Sequence, residues 1–187
     1  VMRLAEAVGI PIPEIELVPI ERLEGLPSLS LPPSEQWAYA IRRFDRDGGR
    51  KIHMEDMAQV MNVRANDKYG RTNYETLGRI LDAELLSPAQ GLRDYAQRLM
   101  VNILFANGDA HLKNWSLLYP DRRTPVLAPA YDLLFTQVYV QGEDGLALNL
   151  ARNKHYYNFS LDHWRRFTDK TGLDEKLVLS AVRDVVE

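Results

Sequence analysis

Apolar and polar residues alternate over two short stretches near the start of the chain. Glu14 to Ile20 and Trp37 to Phe44 both show the two-residue period of a half-buried β-strand. Before them, residues 1–9 carry apolar positions at helical spacing and end at Gly9, which predicts the end of an amphipathic helix. The segment between the strands, residues 21–36, is rich in proline, serine and glutamate and is predicted to be a loop.

From residue 54 onward, apolar positions recur every three or four residues, which is typical of helices. Helices are predicted over 55–61, 73–86 and 89 to about 106. The third has the widest apolar face and is therefore the predicted central helix of the core. Ser87 and Pro88 just before it have the residue types of a helix cap and a first helical position.

Beyond the central helix the pattern predicts a β-hairpin over 115–129 and an extended piece over 145–150. Centring the hairpin turn on Arg122 pairs positions whose numbers sum to 244. This register places Asn114 opposite Ala130 and Asp132 close to the same end, unless it slips by one or two residues. Two closing helices follow, the first from Ser160 to Gly172 and the second from Asp174.

Composition narrows the class of protein without identifying it. The 187 residues are 45% hydrophobic and 26% charged, with a net charge of −3, which is typical of a packed domain. This charge gives no general reason to expect nucleic acid or an anionic membrane as a partner. The sequence has no cysteine, so disulfides and thiolate metal sites are excluded, and a cytoplasmic location is expected. The chain begins with Val1 inside a predicted helix, and we expect it to be an excised fragment.

The candidate chemistry lies directly after the central helix. Asp109 and Asn114 have the Asp-x-x-x-x-Asn spacing of a kinase catalytic loop, in which the Asp accepts a hydroxyl proton and the Asn binds a metal. The hairpin returns Asp132 towards them as a second oxygen ligand for Mg²⁺. Any one of these residues alone would be explained by hydrogen bonds that cap backbone groups in a turn. Only their combination indicates phosphoryl transfer.

Several segments resemble the HipA family of bacterial serine/threonine kinases, which are toxins of type II toxin–antitoxin modules. The two that carry most of the resemblance are NGDAHLKNWS at 107–116 and LAPAYD at 127–132. RFDR at 43–46 and HMEDM at 53–57 also agree with the family pattern, as does the pair Lys68 and Tyr69.

The resemblance implies an α+β, mostly α fold, namely the helical C-terminal lobe of a protein kinase-like fold with a small β-hairpin at the active site. Residues 1–53 would be the remainder of the kinase N-terminal lobe and the hinge. Residues 54–187 would be the HipA-like catalytic lobe.

Carried over residue by residue, the resemblance also implies a role for each candidate. The catalytic base would be Asp109, the magnesium ligands Asn114 and Asp132, the residues against the nucleotide His111 and Tyr131, and the adenine-side hinge Arg42 to Phe44. Arg42 departs from the acidic residue that the family pattern leads us to expect there.

The implied activity is ATP- and Mg²⁺-dependent phosphorylation of a protein serine or threonine, with a DNA-binding antitoxin protein as partner. Neither direct nucleic-acid binding nor membrane association is expected. A Gly-rich phosphate loop and a phosphate-binding lysine are not evident in the sequence, so we expect negligible turnover from this chain alone. Two alternatives stay open: a small-molecule or lipid kinase, whose catalytic loop the Gly-Asp-x-His-x-x-Asn pattern also resembles, and a non-catalytic module that binds an antitoxin.

Overall fold

The computed structural model describes residues 1–25, 34–69 and 72–187. It divides the chain into two compact units, of which the smaller comprises residues 13–44 and the larger residues 1–12 with 45–187. Part of the predicted loop over 21–36, residues 26–33, lies outside the described residues. The predicted division of the chain into lobes at residue 53 stays a prediction.

The smaller unit is built on one antiparallel strand pair. Strand β1 (Ile15–Pro19) pairs with β2 (Trp37–Ile41), with Ile15 opposite Ile41 and Pro19 opposite Trp37. Both strands were expected from the alternating pattern, but β2 ends three residues earlier than predicted. A single 3₁₀ turn, Ile20–Arg22, follows β1.

The larger unit contains six α-helices among the described residues. They are α1 (Met2–Ala7), α2 (Met57–Val60), α3 (Tyr74–Glu84), α4 (Pro88–Leu104), α5 (Leu161–Thr171) and α6 (Glu175–Val186). As predicted, α4 is the centre of the core, and α3 and α6 pack against it. Four apolar residues recur at helical spacing along α4 and so share one face: Leu92, Tyr95, Leu99 and Ile103. All four are buried in the core.

Short strands complete the larger unit. A small hairpin, β3 (Arg46–Asp47) with β4 (Arg50–Lys51), turns through Gly48 and Gly49. A second pair joins β8 (Gly145–Leu150) to β9 (Asn153–His155). Together the helices and small sheets confirm the predicted α+β class.

The predicted helix over 55–61 is wrong at its start. Residues His53–Asp56 form strand β5, and only Met57–Val60 are helical. These residues are extended because Glu55 and Asp56 pair with Leu117 and Ser116 of a neighbouring strand. Local periodicity in the sequence cannot reveal such a long-range contact. Asp56 then caps α2: its carboxylate accepts from the Gln59 N–H at 2.9 Å, and the Gln59 side chain accepts from the Asp56 N–H at 2.9 Å.

The predicted hairpin register is confirmed. Strand β6 (Ser116–Tyr119) pairs with β7 (Val126–Leu127), and Leu117 lies opposite Leu127, a sum of 244. The Ala128 N–H continues this register by donating to the Ser116 carbonyl at 2.9 Å. Because β5 lies on the other side of β6, the hairpin is part of a three-stranded sheet.

The helix boundaries follow the predicted capping residues. Asp174 caps α6 with its carboxylate, Ser160 occupies the N-cap of α5 with its Oγ 3.0 Å from His163 Nδ1, and Gly172 ends α5 with a φ of 76°. Ser87 occupies the N-cap position of α4, but its side chain makes no capping hydrogen bond. In the part of the chain that the structure describes, no helix has the length and apolarity needed to cross a membrane.

The buried face of α4 predicts where a truncation is most harmful. Leu99 is 0% exposed, whereas Leu104 on the same helix is 50% exposed. We expect Leu99→Ala to lower the free energy of unfolding by about 2–5 kcal/mol because it removes buried methyl groups and leaves a cavity. Leu104→Ala, the matched control, should change it by less than about 1 kcal/mol. Urea denaturation of the purified protein measures both, and equal losses would contradict this packing.

Candidate functional site

The loop that carries the candidate residues begins where α4 ends. Ala106 adopts a φ of 45°, and its N–H donates to the Ile103 carbonyl at 3.1 Å. The next N–H, from Asn107, donates to the Asn102 carbonyl at 2.9 Å. This pair of bonds is the Schellman closure, which normally has glycine at the left-handed position. The closure reverses the chain sharply and directs residues 107–114 across the end of the helix.

The side chain of Asn107 connects three parts of the site. Its Oδ1 accepts from the Asp109 N–H at 3.1 Å, and its Nδ2 donates to Asn102 Oδ1 at 2.7 Å and, at 3.5 Å, to the Asp132 carbonyl. Asn102 in turn donates to the Arg98 carbonyl at 2.9 Å. Both asparagines are 1% exposed, so a lost partner would leave a buried polar group unsatisfied. One amide therefore sets the position of Asp109 relative to both α4 and Asp132.

Aromatic side chains anchor the loop from the core side. The Tyr74 hydroxyl and the Trp115 indole N–H both donate to the Ala110 carbonyl, at 2.9 Å and 3.3 Å. Trp115 also lies edge-on to Tyr95, with ring centroids 4.9 Å apart. These rings belong to α3, α4 and the start of the hairpin, so the loop is fastened to three elements at once.

Asn114 and Asp132 meet at a small cavity of about 10 Å³ that Arg98 also lines. Asn114 Nδ2 donates to the Asp109 carbonyl at 2.9 Å, which leaves Asn114 Oδ1 as the atom able to bind a cation. Asp132 has a φ of 59°, a left-handed conformation that Asp and Asn tolerate better than other residues with a side chain. The hairpin thus brings the two predicted metal ligands together.

The donor set of this cavity fits Mg²⁺. One carboxylate and one amide oxygen are hard ligands, and Mg²⁺ typically takes one or two protein oxygens and completes its shell with water and substrate phosphates. Among the described residues no group of three or more His, Cys, Asp or Glu side chains could hold a metal ion.

The Asp109 carboxylate contacts two aromatic side chains. Its Oδ1 accepts a hydrogen bond from the Tyr69 hydroxyl and lies 3.7 Å from His111 Nε2. The carboxylate is 38% exposed, so a polar group from outside can reach it. Asp109 therefore contributes its backbone carbonyl to the Asn114 side and its acid to an accessible side.

His111 is buried beneath a lysine. Lys68 Nζ lies 2.6 Å from His111 Nε2, and the imidazole is 5% exposed. Burial lowers the pKa of His111 below its usual 6.5, and the Lys68 ammonium lowers it further, while the Asp109 carboxylate opposes both. The neutral imidazole therefore accepts a hydrogen bond from Lys68 at neutral pH.

Of the remaining predicted residues, Tyr131 lines the same cavity as Asn114 and Asp132, whereas Arg42 and Phe44 belong to the smaller unit. The Tyr131 hydroxyl donates to the Lys113 carbonyl at 2.7 Å and lies 2.6 Å from Ser116 Oγ, so its polar end is engaged within the hairpin. Arg42 belongs to the smaller unit, where it pairs with Glu14 at 3.0 Å on an exposed strand edge. Phe44 also belongs to that unit. Their contacts with a nucleotide stay predictions, as does that of His111.

Three features of the site were not given a role from the sequence. Tyr69 contacts the predicted base, and its pairing with Lys68 in the motif was the only signal. Arg98 is 3% exposed, and burial lowers the pKa of its guanidinium to about 10. A Cβ at Gly108 would lie 2.3 Å from the Glu143 carboxylate, so Glu143 would have to move aside for any larger residue there. Arg98 could have been identified from the sequence, because it is a charged residue on the predicted apolar face of α4.

Removing the Lys68 charge should raise the pKa of His111. In the wild type the pKa of His111 lies below 6.5, its value in the unfolded chain. The unfolded state therefore binds more protons, and the free energy of unfolding falls as the pH drops through 6.5. Lys68→Met removes a nearby positive charge, and the His111 pKa should move upwards. Titration of the ring carbon-bound protons by NMR measures both values, with exposed Lys176→Met as the control. A pKa that is unchanged or lower in Lys68→Met would contradict the contact.

Curated relatives of this chain carry kinase names. A curated relative from Sinorhizobium fredii, named "Putative kinase Y4dM", is 43% identical over 186 residues, which cover 100% of this chain and 45% of the relative. The "Serine/threonine-protein kinase toxin HipA" of Shewanella oneidensis is 26% identical over 200 residues, covering 96% of this chain and 42% of the toxin. The chain thus spans less than half the length of these relatives.

Solved structures share the fold. The Shewanella oneidensis HipA structure, in complex with HipB and its operator DNA, superposes with a TM-score of 0.79 at 22% identity over 98% of this chain and 44% of that one. The Helicobacter pylori proinflammatory kinase CtkA gives 0.57 at 16% identity, over 96% of this chain and 68% of that one. The model of the HipA-like C-terminal domain matches residues 1–187. The chain belongs to the family of HipA-like C-terminal domains.

Proposed function

We propose that the protein containing this chain transfers the γ-phosphate of ATP to a serine or threonine hydroxyl of another protein, as a HipA-like kinase. In this proposal the chain supplies the base and the metal-binding side of the site. The kinase names of the relatives support the reaction class, and the site geometry supports the assignment of residues.

One observation carries the proposal: the buried Asn107 amide links the backbone of Asp109 to the backbone of Asp132, while Asn114 is linked to the Asp109 carbonyl. Phosphoryl transfer depends mainly on positioning a hydroxyl, a phosphate and a metal relative to one another. A network that fixes a carboxylate and two oxygen ligands in one frame meets that requirement. Ordinary turn-capping residues would not need to share such a frame.

Asp109 would accept the proton of the attacking hydroxyl. Its carboxylate already accepts a hydrogen bond from a hydroxyl group, that of Tyr69, and it is accessible from outside. A general base must lie within hydrogen-bonding reach of the proton that it removes. The Lys68 ammonium, which donates to the neutral His111, would add positive charge on the side where phosphate oxygens would gather.

Asn114 and Asp132 would hold Mg²⁺, which neutralises charge on the transferred phosphate when it is bound. Arg98 lines the same cavity and is a permanent cation in a buried position. Without a metal, its charge offsets that of the nearby carboxylates, among which Asp94 lies on the same helix. Arg98 would therefore offset the single negative charge that Asp132 brings to the proposed ligand pair, because the Asn114 amide is neutral.

The partner proposed for the whole protein is a DNA-binding antitoxin. The support is the neighbour with a TM-score of 0.79, which is HipA in a complex with HipB and operator DNA. Nothing in the net charge of −3 suggests that this chain itself binds the DNA. A protein acceptor is proposed because the Shewanella oneidensis relative is named a serine/threonine-protein kinase.

Asp109→Asn in the intact protein should lower the rate of phosphoryl transfer by about 10²–10⁴-fold, because an amide cannot accept the hydroxyl proton. The amide keeps the size of the side chain, so the melting temperature should change little. The matched control is Asp169→Asn on the exposed face of α5, which should retain full activity. Transfer of labelled phosphate to protein measures the rate, and near-normal activity of Asp109→Asn would refute the assignment.

Asp132→Asn should raise the Mg²⁺ concentration needed for half-maximal activity by at least about tenfold, because a neutral oxygen binds the ion more weakly than a carboxylate. Asn tolerates the left-handed backbone at this position, so the fold should be preserved. Titration of activity with Mg²⁺ at saturating ATP measures the shift. Asp121→Asn in the exposed hairpin turn is the control, and equal Mg²⁺ requirements in all three proteins would exclude Asp132 as a ligand.

A further inference from the structure

Tyr69 occupies the position that a phosphate acceptor would take. Its hydroxyl donates a hydrogen bond to Asp109 Oδ1, the carboxylate oxygen of the proposed base. In a base-assisted transfer the attacking hydroxyl makes this same hydrogen bond before its proton leaves. The chain therefore presents one of its own hydroxyl groups to its own base.

Two further contacts hold the tyrosine ring in this orientation. The ring meets His111 edge-on, with centroids 5.1 Å apart and planes at 75°. The second contact is with Lys68, whose Nζ lies 4.8 Å from the centroid of the Tyr69 ring, within the range of a cation–π interaction. The hydroxyl is thus directed at Asp109 by neighbours that belong to the same site.

Tyr69 is also accessible and protonated. The residue is 42% exposed, so the hydroxyl is not sealed inside the core. Partial burial and the hydrogen bond to Asp109 raise its pKa to about 12, so it keeps its proton at neutral pH. A phenol in this state is a poor nucleophile alone and requires a base in contact with it. Asp109 is that base.

We propose that Tyr69 is a site of self-phosphorylation within one molecule. The phenolic oxygen forms a bond to the γ-phosphorus of ATP, the bond from that phosphorus to the β,γ-bridging oxygen breaks, and ADP leaves with the bonding electrons. The phenolic proton passes to Asp109 Oδ1. This inference rests on the proposed kinase function of the intact protein, which supplies the bound ATP.

The modification would change access to the base. A phosphotyrosine carries a charge of about −1.5 to −2 at neutral pH and is repelled by a neighbouring carboxylate. Lys68, next to it in the sequence and already in contact with its ring, offers a cationic partner for the phosphate. Phosphorylated Tyr69 should therefore leave Asp109 and free the acceptor position for other hydroxyl groups.

The test uses the intact protein with ATP whose γ-phosphate carries ¹⁸O. Mass spectrometry of peptides locates the heavy phosphate in the wild type, Tyr69→Phe, Asp109→Asn and Tyr139→Phe, the last being a tyrosine that is 83% exposed. We expect labelled Tyr69 in the wild type and in Tyr139→Phe, with a first-order rate that does not depend on protein concentration. Asp109→Asn should lower this label by about 10²-fold or more.

The outcomes separate this inference from the proposed function. Heavy phosphate on a protein substrate or on other residues, with Tyr69 unlabelled, would overturn the inference and leave the kinase function standing. A labelling rate of Tyr69 that rises with protein concentration would also overturn it, since the step would then be intermolecular. No transfer from the intact protein to any acceptor would overturn both proposals. Labelled Tyr69 that persists at the wild-type rate in Asp109→Asn would exclude the geometry described above.

Discussion

The buried amide of Asn107 is the constraint on which the candidate site depends. It satisfies the side chain of Asn102 on α4, the backbone N–H of Asp109 and, more weakly, the carbonyl of Asp132. Buried polar networks are stabilising only when every member has its partner, because each orphaned group carries its full desolvation penalty. The loop therefore cannot shift without disturbing the end of the central helix. In this way the apolar core, through α4, determines where Asp109 and the proposed oxygen ligands lie.

The same helix also brings a cation to the site, at a cost. Arg98 projects from α4 among buried residues, and its Nε and Nη2 have no hydrogen-bond partner in the described residues. Burial without full pairing destabilises a guanidinium, so its retention needs a compensating interaction. The acidic residues around it, Asp94 on α4 and Asp132 in the cavity, supply opposite charge. A site designed for stability alone would place a leucine or methionine there, which points to a role in balancing the charge of the ligand pair.

Local chemistry was enough to predict much of this arrangement. The hairpin turn at Arg122 and two short apolar runs predicted the register of β6 and β7, because a side-chain period of two allows little choice once the turn is placed. Helix ends were equally predictable where Gly172 or Asp174 supplied the cap. The failures were long-range. Strand β5 is a strand only because β6 lies beside it, and the contact between Tyr69 and Asp109 joins residues 40 positions apart. Neither leaves a periodic signal in the chain.

The two sides of Asp109 differ in how they are held, and that difference suits transfer to more than one acceptor. Its backbone is tied to Asn107 and Asn114 by hydrogen bonds between buried or half-buried groups. Its carboxylate instead meets a partly exposed phenol, on a segment whose regular structure is one 3₁₀ turn, Ala65–Asp67. A hydrogen bond at an exposed site is easily exchanged for one to another hydroxyl, since little net free energy separates the two. In the proposed reaction, a rigidly held base with an exchangeable hydroxyl would accept different acceptor hydroxyl groups without movement of the residues around it.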